Sequence, residues 1–490
     1  MNPRPGVESS IVTLPDDICQ RVVNARDARF DGIFFVAVTT TGIYCRPVCP
    51  SRGARPQHRR FFESAASAEH AGFRPCLRCR PELAPGRAVM DAVPRLAHVA
   101  AEQIAAGALN GHTVSQLAVE LGVSERHLRR AMKREMGVSP NALAQTHRLL
   151  LAKRLLIDTA LPVTRVAFAS GFQSLRRFNS VFRERYRLTP SALRPRSRAA
   201  RLEDEVVRLT LAYRPPLAWD VLTSLLDRDA LPGVEVLRDG RYARTVSLEG
   251  MRGVVFVSGA RDRPQLQVDV SGSLVPVLMP LLARLRHVFD LDADPTVVNA
   301  HLAQGALGAL VQRRPGIRLI GACDGFEAVL RALLHGRDRS RIVDALGERF
   351  DTGVPGLTHL APGADRVADA GAAGLASHGI PRHRGEAVVA VARRMVEGRL
   401  RLEPGADIAA ARRGLLEIAG IGDRRATAIV MRALYWPDAF PAADPVLQRA
   451  AGASSAEELR IRAERWRPWR AYAALHLWLK ENDQLAGTTA

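Results

Sequence analysis

Ile418-Ala-Gly-Ile-Gly-Asp-Arg-Arg-Ala426 reads as the end of one helix, a tight Gly-x-Gly hairpin and the start of a second helix. Glycines at 420 and 422 free the backbone to turn sharply, so that main-chain N–H groups can face a phosphate at the N-terminus of the second helix. Two readings fit the stretch taken alone: a sequence-independent grip on a nucleic-acid backbone, or an ordinary helix–helix turn. Around it, from about residue 321 to 490, apolar residues recur at helical spacing with short Gly and Pro breaks. This part of the chain is all-α.

Upstream the period changes. Val206-Val-Arg-Leu-Thr-Leu211, Thr245-Val-Ser-Leu248, Gly253-Val-Val-Phe-Val257 and Leu266-Gln-Val-Asp-Val270 read as strands. A helical stretch near Val275–Phe289 accompanies them, which makes residues 203–320 an α+β unit. Arg194-Pro-Arg-Ser-Arg198 is a polar, basic linker.

Residues 92–198 read as helices. Thr113–Met136 forms two short ones with a tight turn at Gly122 and an N-cap at Ser124. The second displays Arg126, His127, Arg129, Arg130, Lys133 and Arg134. The pattern recurs over Val163–Arg183, followed by Thr189-Pro190. A helix seated in a major groove needs bulky apolar residues inside and basic or amide groups outside. Phe178 and Phe182 fit the first role; Gln173, Arg176, Arg177 and Asn179 fit the second. A solvated charged face is the alternative. The two copies differ where their second helices end, at Gly137 in one and Arg187 in the other.

Charge favours a polyanionic partner. The net charge is +20, and +11 of it falls within residues 101–200. Only Lys133, Lys153 and Lys480 are lysines; every other basic residue is arginine. No run reaches the ~18–20 apolar residues that would span a bilayer, and the N-terminus lacks a basic segment followed by an apolar one. A membrane or exported protein is not expected; the cytoplasm, at the bacterial nucleoid, is. At roughly 100–200 residues per domain, a chain of this length implies three or four domains.

Six cysteines in so long a chain do not suggest a disulfide framework. Four fall in two close pairs, Cys45-Arg-Pro-Val-Cys49 and Cys76-Leu-Arg-Cys79, the spacing of a tetrahedral zinc site. A purely structural zinc is the simplest reading of that spacing. Phe34–Val38 reads as a buried strand and Thr39–Gly42 as the turn leading to the first pair. Cys19 and Cys323 stand apart, as buried thiols.

Ala28-Arg-Phe-Asp-Gly32, Thr40-Thr-Gly-Ile-Tyr-Cys-Arg-Pro-Val-Cys-Pro50 and Ala71-Gly-Phe-Arg-Pro-Cys-Leu-Arg-Cys-Arg-Pro81 closely resemble the N-terminal domain of Ada adaptive-response proteins. The resemblance implies one Zn²⁺ on Cys45, Cys49, Cys76 and Cys79, with Cys45 accepting a methyl group from a DNA methylphosphotriester. Residues ~97–195 resemble the double helix-turn-helix of AraC-type regulators, which implies contacts with double-stranded DNA, promoter sequences included, and makes RNA polymerase a candidate partner.

The hairpin, Pro437-Asp-Ala-Phe-Pro-Ala-Ala-Asp-Pro-Val-Leu447 and Arg465-Trp-Arg-Pro-Trp-Arg-Ala-Tyr-Ala-Ala-Leu-His-Leu-Trp478 together resemble the helix-hairpin-helix DNA glycosylases of the 3-methyladenine glycosylase II (AlkA) branch. The α+β unit, with Phe289-Asp-Leu-Asp-Ala-Asp-Pro295, resembles that branch's TBP-like N-terminal domain. Asp444 then matches the catalytic aspartate, an N-cap or structural role being the alternative, and Trp478 a base-pocket aromatic, a plain core role being the alternative. Gly420 and Gly422 match the DNA-gripping hairpin, which binds a monovalent cation in some relatives. No lysine lies between Lys153 and Lys480, so a Schiff-base lyase step is not expected and the enzyme should be monofunctional.

Two departures stand out. Arg424 occupies a pocket position where the branch usually has Trp. The loop that normally offers an apolar wedge reads Leu334-His-Gly-Arg-Asp-Arg-Ser340, leaving Arg337 as the nearest filler. They motivate an alternative, a methylation-responsive activator whose glycosylase half is a non-catalytic scaffold. A Pro-Cys-His-Arg motif is absent from the sequence, so direct repair of O6-alkylguanine is not expected. The expected organisation is a monomeric, multidomain α+β chain: 1–88 a small zinc-bound α/β domain, 92–198 an all-α double helix-turn-helix, 203–320 the α+β domain and 321–490 the all-α glycosylase domain.

Overall fold

The computed structural model describes residues 14–51, 53–85, 95–194, 206–260 and 263–488. The expected boundaries at 88–92 and 198–203, and the linker beyond Arg194, lie outside these residues.

The first unit is built on a sheet ordered β3-β1-β2-β4, from β1 (Phe35–Val38), β2 (Ile43–Cys45), β3 (Arg59–Phe62) and β4 (Arg74–Pro75). Gly42, at φ +64°, closes the expected β1–β2 turn. The parallel β2–β4 pairing sets Tyr44 opposite Pro75 and so carries Cys45 alongside Cys76. Helices α1 (Asp16–Ala25) and α2 (Ala65–His70) flank the sheet, and Ser64 and Ser67 form a capping box at α2. Its core is two small clusters, Phe35, Tyr44, Phe62 and Phe73 with alanines in one, and Cys19, Val22, Phe34, Val36 and Phe61 in the other.

Seven helices follow: α3 (Arg95–Ala105), α4 (Val114–Glu120), α5 (Glu125–Met136), α6 (Pro140–Asp158), α7 (Val163–Ala169), α8 (Leu175–Tyr186) and α9 (Pro190–Leu193). Thus α4–α5 and α7–α8 are the two expected helix pairs. Both second helices end on a left-handed residue, Gly137 at φ +69° and Arg187 at φ +58°. A side chain in that conformation costs roughly 1 kcal/mol that glycine avoids. Arg187→Gly is therefore expected to stabilise the chain by about 1 kcal/mol, read as a higher midpoint in thermal unfolding; an unchanged or lower midpoint would show that the arginine's contacts outweigh the strain.

The α+β unit has an antiparallel sheet ordered β5-β9-β8-β7-β6. Its strands are β5 (Val206–Ala212), β6 (Glu235–Arg238), β7 (Arg241–Leu248), β8 (Met251–Gly259) and β9 (Gln265–Ser271). The helices are α10 (Trp219–Arg228), α11 (Leu278–Val288), α12 (Pro295–Leu302) and α13 (Gly308–Arg313). The expected helix at 275–289 is shorter, because Pro276 sits in a 3₁₀ turn over Gly272–Val277 and α11 begins only after it. One buried cluster joins this sheet to the second helix pair, with Phe172, Phe178 and Phe182 alongside Leu209, Val257 and Leu285.

The last unit is helical: α14 (Gly325–Leu333), α15 (Arg337–Leu346), α16 (Ala364–Ser377, broken at Gly371), α17 (Arg382–Val396), α18 (Ile408–Leu416), α19 (Asp423–Ala433), α20 (Pro445–Ala451), α21 (Ala456–Ala463) and α22 (Arg470–Thr488). Two polar junctions bind it to the α+β unit. Arg244 on β7 donates to Glu327 on α14 at 2.5 Å, and Arg331 on α14 donates to Glu235 on β6 at 2.7 Å; all four side chains are buried. Buried ions need such mutual pairing, since removing one partner strands the other without water.

At the second junction Tyr472 on α22 donates to Asp290 Oδ2 at 2.6 Å, and the Leu319 amide donates to the same oxygen at 3.1 Å. Burial pushes the Asp290 carboxyl up to about 7, against the opposing pull of Arg318. The fold therefore holds a proton that the unfolded chain releases near pH 4, and stability from this site is lost as pH rises through about 7. Asparagine stays neutral and tolerates the residue's φ of +50°. Asp290→Asn should gain on the wild type between pH 4 and pH 8, by up to about 4 kcal/mol, in chemical denaturation at each pH. A pH-independent difference would refute this.

Candidate metal centre and DNA interface

The sulfurs of Cys45, Cys49, Cys76 and Cys79 all lie within 4.8 Å of one another. Four thiolates about 2.3 Å from a tetrahedral Zn²⁺ would stand roughly 3.8 Å apart, so the cage fits the ion. The cluster is a zinc site. Two buried sulfurs receive backbone hydrogen bonds: Arg78 N–H donates to Cys76 Sγ and Arg46 N–H to Cys79 Sγ, both at 3.4 Å. Cys45 and Cys49 are half-buried as whole residues, but within the cage Cys45 is buried and Cys49 is the more open ligand. Cys19 and Cys323 are remote buried thiols; burial pushes Cys19 up to about 11 and raises Cys323 too, which leaves both unreactive.

Sequence reasoning missed a clamp beside the cage. Arg46 donates from Nε to Asp31 Oδ1 at 2.8 Å, pairs again through Nη2 with Oδ2, and reaches the Cys79 carbonyl at 3.2 Å. Both residues lie inside the quoted motifs, but nothing in their spacing shows that they touch. Gly32 follows Asp31 at φ +79°, where a Cβ would stand 2.1 Å from the Pro85 carbonyl oxygen.

The zinc unit is bolted to α6. Buried Lys153 donates to Glu82 at 2.7 Å and to the Cys76 carbonyl at 3.0 Å, and Arg80 grips Asp158 with two bonds of 2.7 Å. Glu69 accepts from Tyr44 at 3.0 Å and from Thr146 at 3.1 Å.

In the helix pairs, Ser124 and Ser174 cap α5 and α8 through the amides of His127 and Arg177, at 3.2 and 3.3 Å. Arg126, Arg130, Gln173, Arg176 and Arg177 are exposed, and none of these arginines has an ion-pair partner among the described residues. Arg129 is held by Glu125 at 2.6 Å, and Lys133 folds back onto the Gly137 carbonyl at 3.1 Å. Asn179 is half-buried, while Phe178 and Phe182 are fully buried, as the groove-helix reading requires.

The hairpin joins α18 to α19. Gly420 takes φ +85°, whereas Gly422 has an ordinary φ of −83° and caps α19. A Cβ at 422 would meet nothing within 4 Å, so that glycine leaves space outside the chain. The first amides of α19 have no acceptor within the helix and face outward. Arg425 braces the turn by donating to the Gly420 carbonyl at 2.7 Å.

Asp444 is the N-cap of α20. Its Oδ1 accepts from the amides of Val446 at 2.8 Å and Leu447 at 3.4 Å, with Pro445 in the first helical position. Oδ2 faces Arg424 Nη1 at 3.9 Å. Trp478 is half-buried against the core that α20 and α22 share. Arg337 is exposed at the start of α15, next to Gly336 at φ +50°. His335, also exposed there, is lowered below its usual value by partial burial and by the charges of Arg339, Arg384, Arg425 and Arg424.

A thiolate cage, paired helix-turn-helices and a hairpin followed by a capped carboxylate define a protein that combines a zinc-cysteine module with DNA-recognition folds. Family models agree in sequence: the metal binding domain of Ada matches residues 18–82, a helix-turn-helix domain 117–196 and the AlkA N-terminal domain 208–324. A probable bifunctional transcriptional activator/DNA repair enzyme AlkA of Mycobacterium tuberculosis is 38% identical over 478 residues, covering 94% of this chain and 95% of the relative. The chain belongs to that family. DNA-3-methyladenine glycosylase 2 of Escherichia coli is 33% identical over 283 residues, 56% of this chain and 98% of the relative. The bifunctional transcriptional activator/DNA repair enzyme Ada of E. coli is 37% identical over 143 residues, 29% of this chain and 38% of the relative.

Proposed function

We propose that this chain is a monofunctional DNA glycosylase for alkylated bases of the 3-methyladenine type, that Cys45 is a single-use methyl acceptor for DNA phosphotriesters, and that the helix-turn-helix pairs hold it on duplex DNA, promoters included. The observation that carries the glycosylase reading is Asp444, whose Oδ1 is fixed by two amides while Oδ2 stays free of the backbone. An extruded nucleotide would present its C1′ to that oxygen. The C1′–N bond breaks, its electron pair leaves with the base, and the carboxylate stabilises the cationic sugar until water adds at C1′ and releases a proton. Trp478 supplies a face for the flipped base, and Gly420, Gly422 and Arg337 grip or fill the duplex.

Zinc, when bound, keeps the four sulfurs ionised at neutral pH. The Cys45 sulfur attacks the triester methyl: an S–C bond forms, the C–O bond breaks, and the phosphate leaves as an ordinary diester anion. The cage loses one negative charge, which weakens its repulsion from the backbone and favours DNA binding. A regulatory readout through RNA polymerase and a monomeric state belong to the same proposal. The test is a base-release assay on duplexes with defined alkylated bases, wild type against Asp444→Asn. Release that depends on Asp444 supports the enzyme; none from any lesion would leave only the activator reading.

A further inference from the structure

Arg424, at a position where the resemblance implies a pocket Trp, is the residue that faces the carboxylate of Asp444. Asp444 Oδ1 is occupied by the helix cap, so Oδ2 is the edge left for substrate, and Arg424 Nη1 stands 3.9 Å from it. Asp444 is Arg424's sole acidic partner among the described residues. The neighbouring groups are committed elsewhere: Asp423 to Arg412 and Thr427, Arg425 to the Gly420 carbonyl, Arg384 to Asp338 at 2.6 Å. Half of the Arg424 side chain is exposed, against 11% of Asp444's, so the guanidinium lies over the carboxylate on its solvent side. Whatever reaches Asp444 must pass or touch a permanent positive charge.

We propose that Arg424 is a specificity residue that tunes this site toward neutral damaged bases bearing a carbonyl or ring-nitrogen acceptor, and against cationic N-alkylpurines. The inference rests on Asp444-dependent base release as read above and narrows its lesion class: cationic bases of the 3-methyladenine type are still released, but at a disadvantage to neutral ones. A cationic purine brings its own charge to C1′–N cleavage and leaves as a neutral base; next to Arg424 it meets repulsion. A neutral base leaves with the bond's electron pair and becomes anionic until it gains a proton. A guanidinium donating to its acceptor edge stabilises that developing charge, a gain realised only as the bond breaks. One like charge at this range, in a partly solvated site, changes the preference about 10- to 100-fold.

The test compares single-turnover release of hypoxanthine, which is neutral, and 7-methylguanine, which is cationic, from otherwise identical duplexes by the full-length protein. Arg424→Gln is expected to shift the hypoxanthine-to-7-methylguanine rate ratio about 10- to 100-fold toward 7-methylguanine, with Arg424→Lys staying within a few-fold of wild type. The ratio is internal to each preparation, so partial misfolding of a variant does not move it. An unchanged ratio in Arg424→Gln overturns the proposal while leaving the glycosylase standing. Failure of wild type to release either base in an Asp444-dependent way overturns both.

Discussion

Asp444→Asn is expected to slow release of an alkylated base at least about 100-fold while leaving the protein folded and bound to DNA. Both halves follow from how the side chain is used. Oδ1 caps α20, and asparagine caps a helix about as well as aspartate, so stability should change by less than about 0.5 kcal/mol. On the proposed reading Oδ2 carries the chemistry, and the amide that replaces it has no charge to set against an oxocarbenium-like sugar. Asp444→Ala gives the contrast: it loses the cap as well, at a cost of about 1 kcal/mol, and its activity loss would mix two causes. Base release, thermal midpoint and duplex affinity measured on both variants separate them. If Asp444→Asn releases base at the wild-type rate, the carboxylate is only a cap.

That double use explains what the sequence could and could not reveal. Asp444-Pro445 before an apolar run is the pattern of an N-cap, and nothing in it distinguishes a cap from a catalytic group; the resemblance over residues ~321–482 was needed to raise the second role. The structure adds that the cap uses Oδ1 and leaves Oδ2 off the backbone, facing Arg424, so the proposed second role has an oxygen available to it. The cysteine pairs, both helix pairs, four of the five strands of the larger sheet and the hairpin were legible because each repeats a local period or spacing. Edge strand β6 was not: Glu235 and Arg238 break its alternation, and buried Glu235 is satisfied by Tyr242 and Arg244 on the next strand and by Arg331, ninety-six residues on. Tertiary pairing of this kind leaves no local trace. The same holds for Lys153, one of only three lysines, whose buried ammonium ties α6 to a zinc ligand's carbonyl. For Arg424 the sequence showed an unusual residue and the structure showed its partner.

Two substitutions in the cysteine cage should fail in different ways. Cys76→Ala removes a buried ligand while leaving the backbone contacts of residue 76 to Lys153 and Tyr44 in place. The unit around it has two small apolar clusters, one about Phe35, Tyr44, Phe62 and Phe73 and one about Val22, Phe34, Val36 and Phe61, and a unit this short draws much of its stability from the metal. Structural zinc contributes roughly 10–16 kcal/mol in small zinc domains, so this variant should lose both zinc and the unit's fold, read by metal analysis and by proteolysis within residues 14–85. Cys45→Ala instead removes the proposed acceptor, and zinc is expected to stay on the three remaining sulfurs with a water in the fourth place. Incubated with methylphosphotriester DNA, wild type should gain one methyl on the peptide containing Cys45, and Cys45→Ala should gain none. Methyl appearing on Cys49 in the wild type would reassign the acceptor to the more open sulfur. No methyl anywhere, with zinc still bound, would reduce the cage to a structural staple and remove the chemical trigger from the proposed switch.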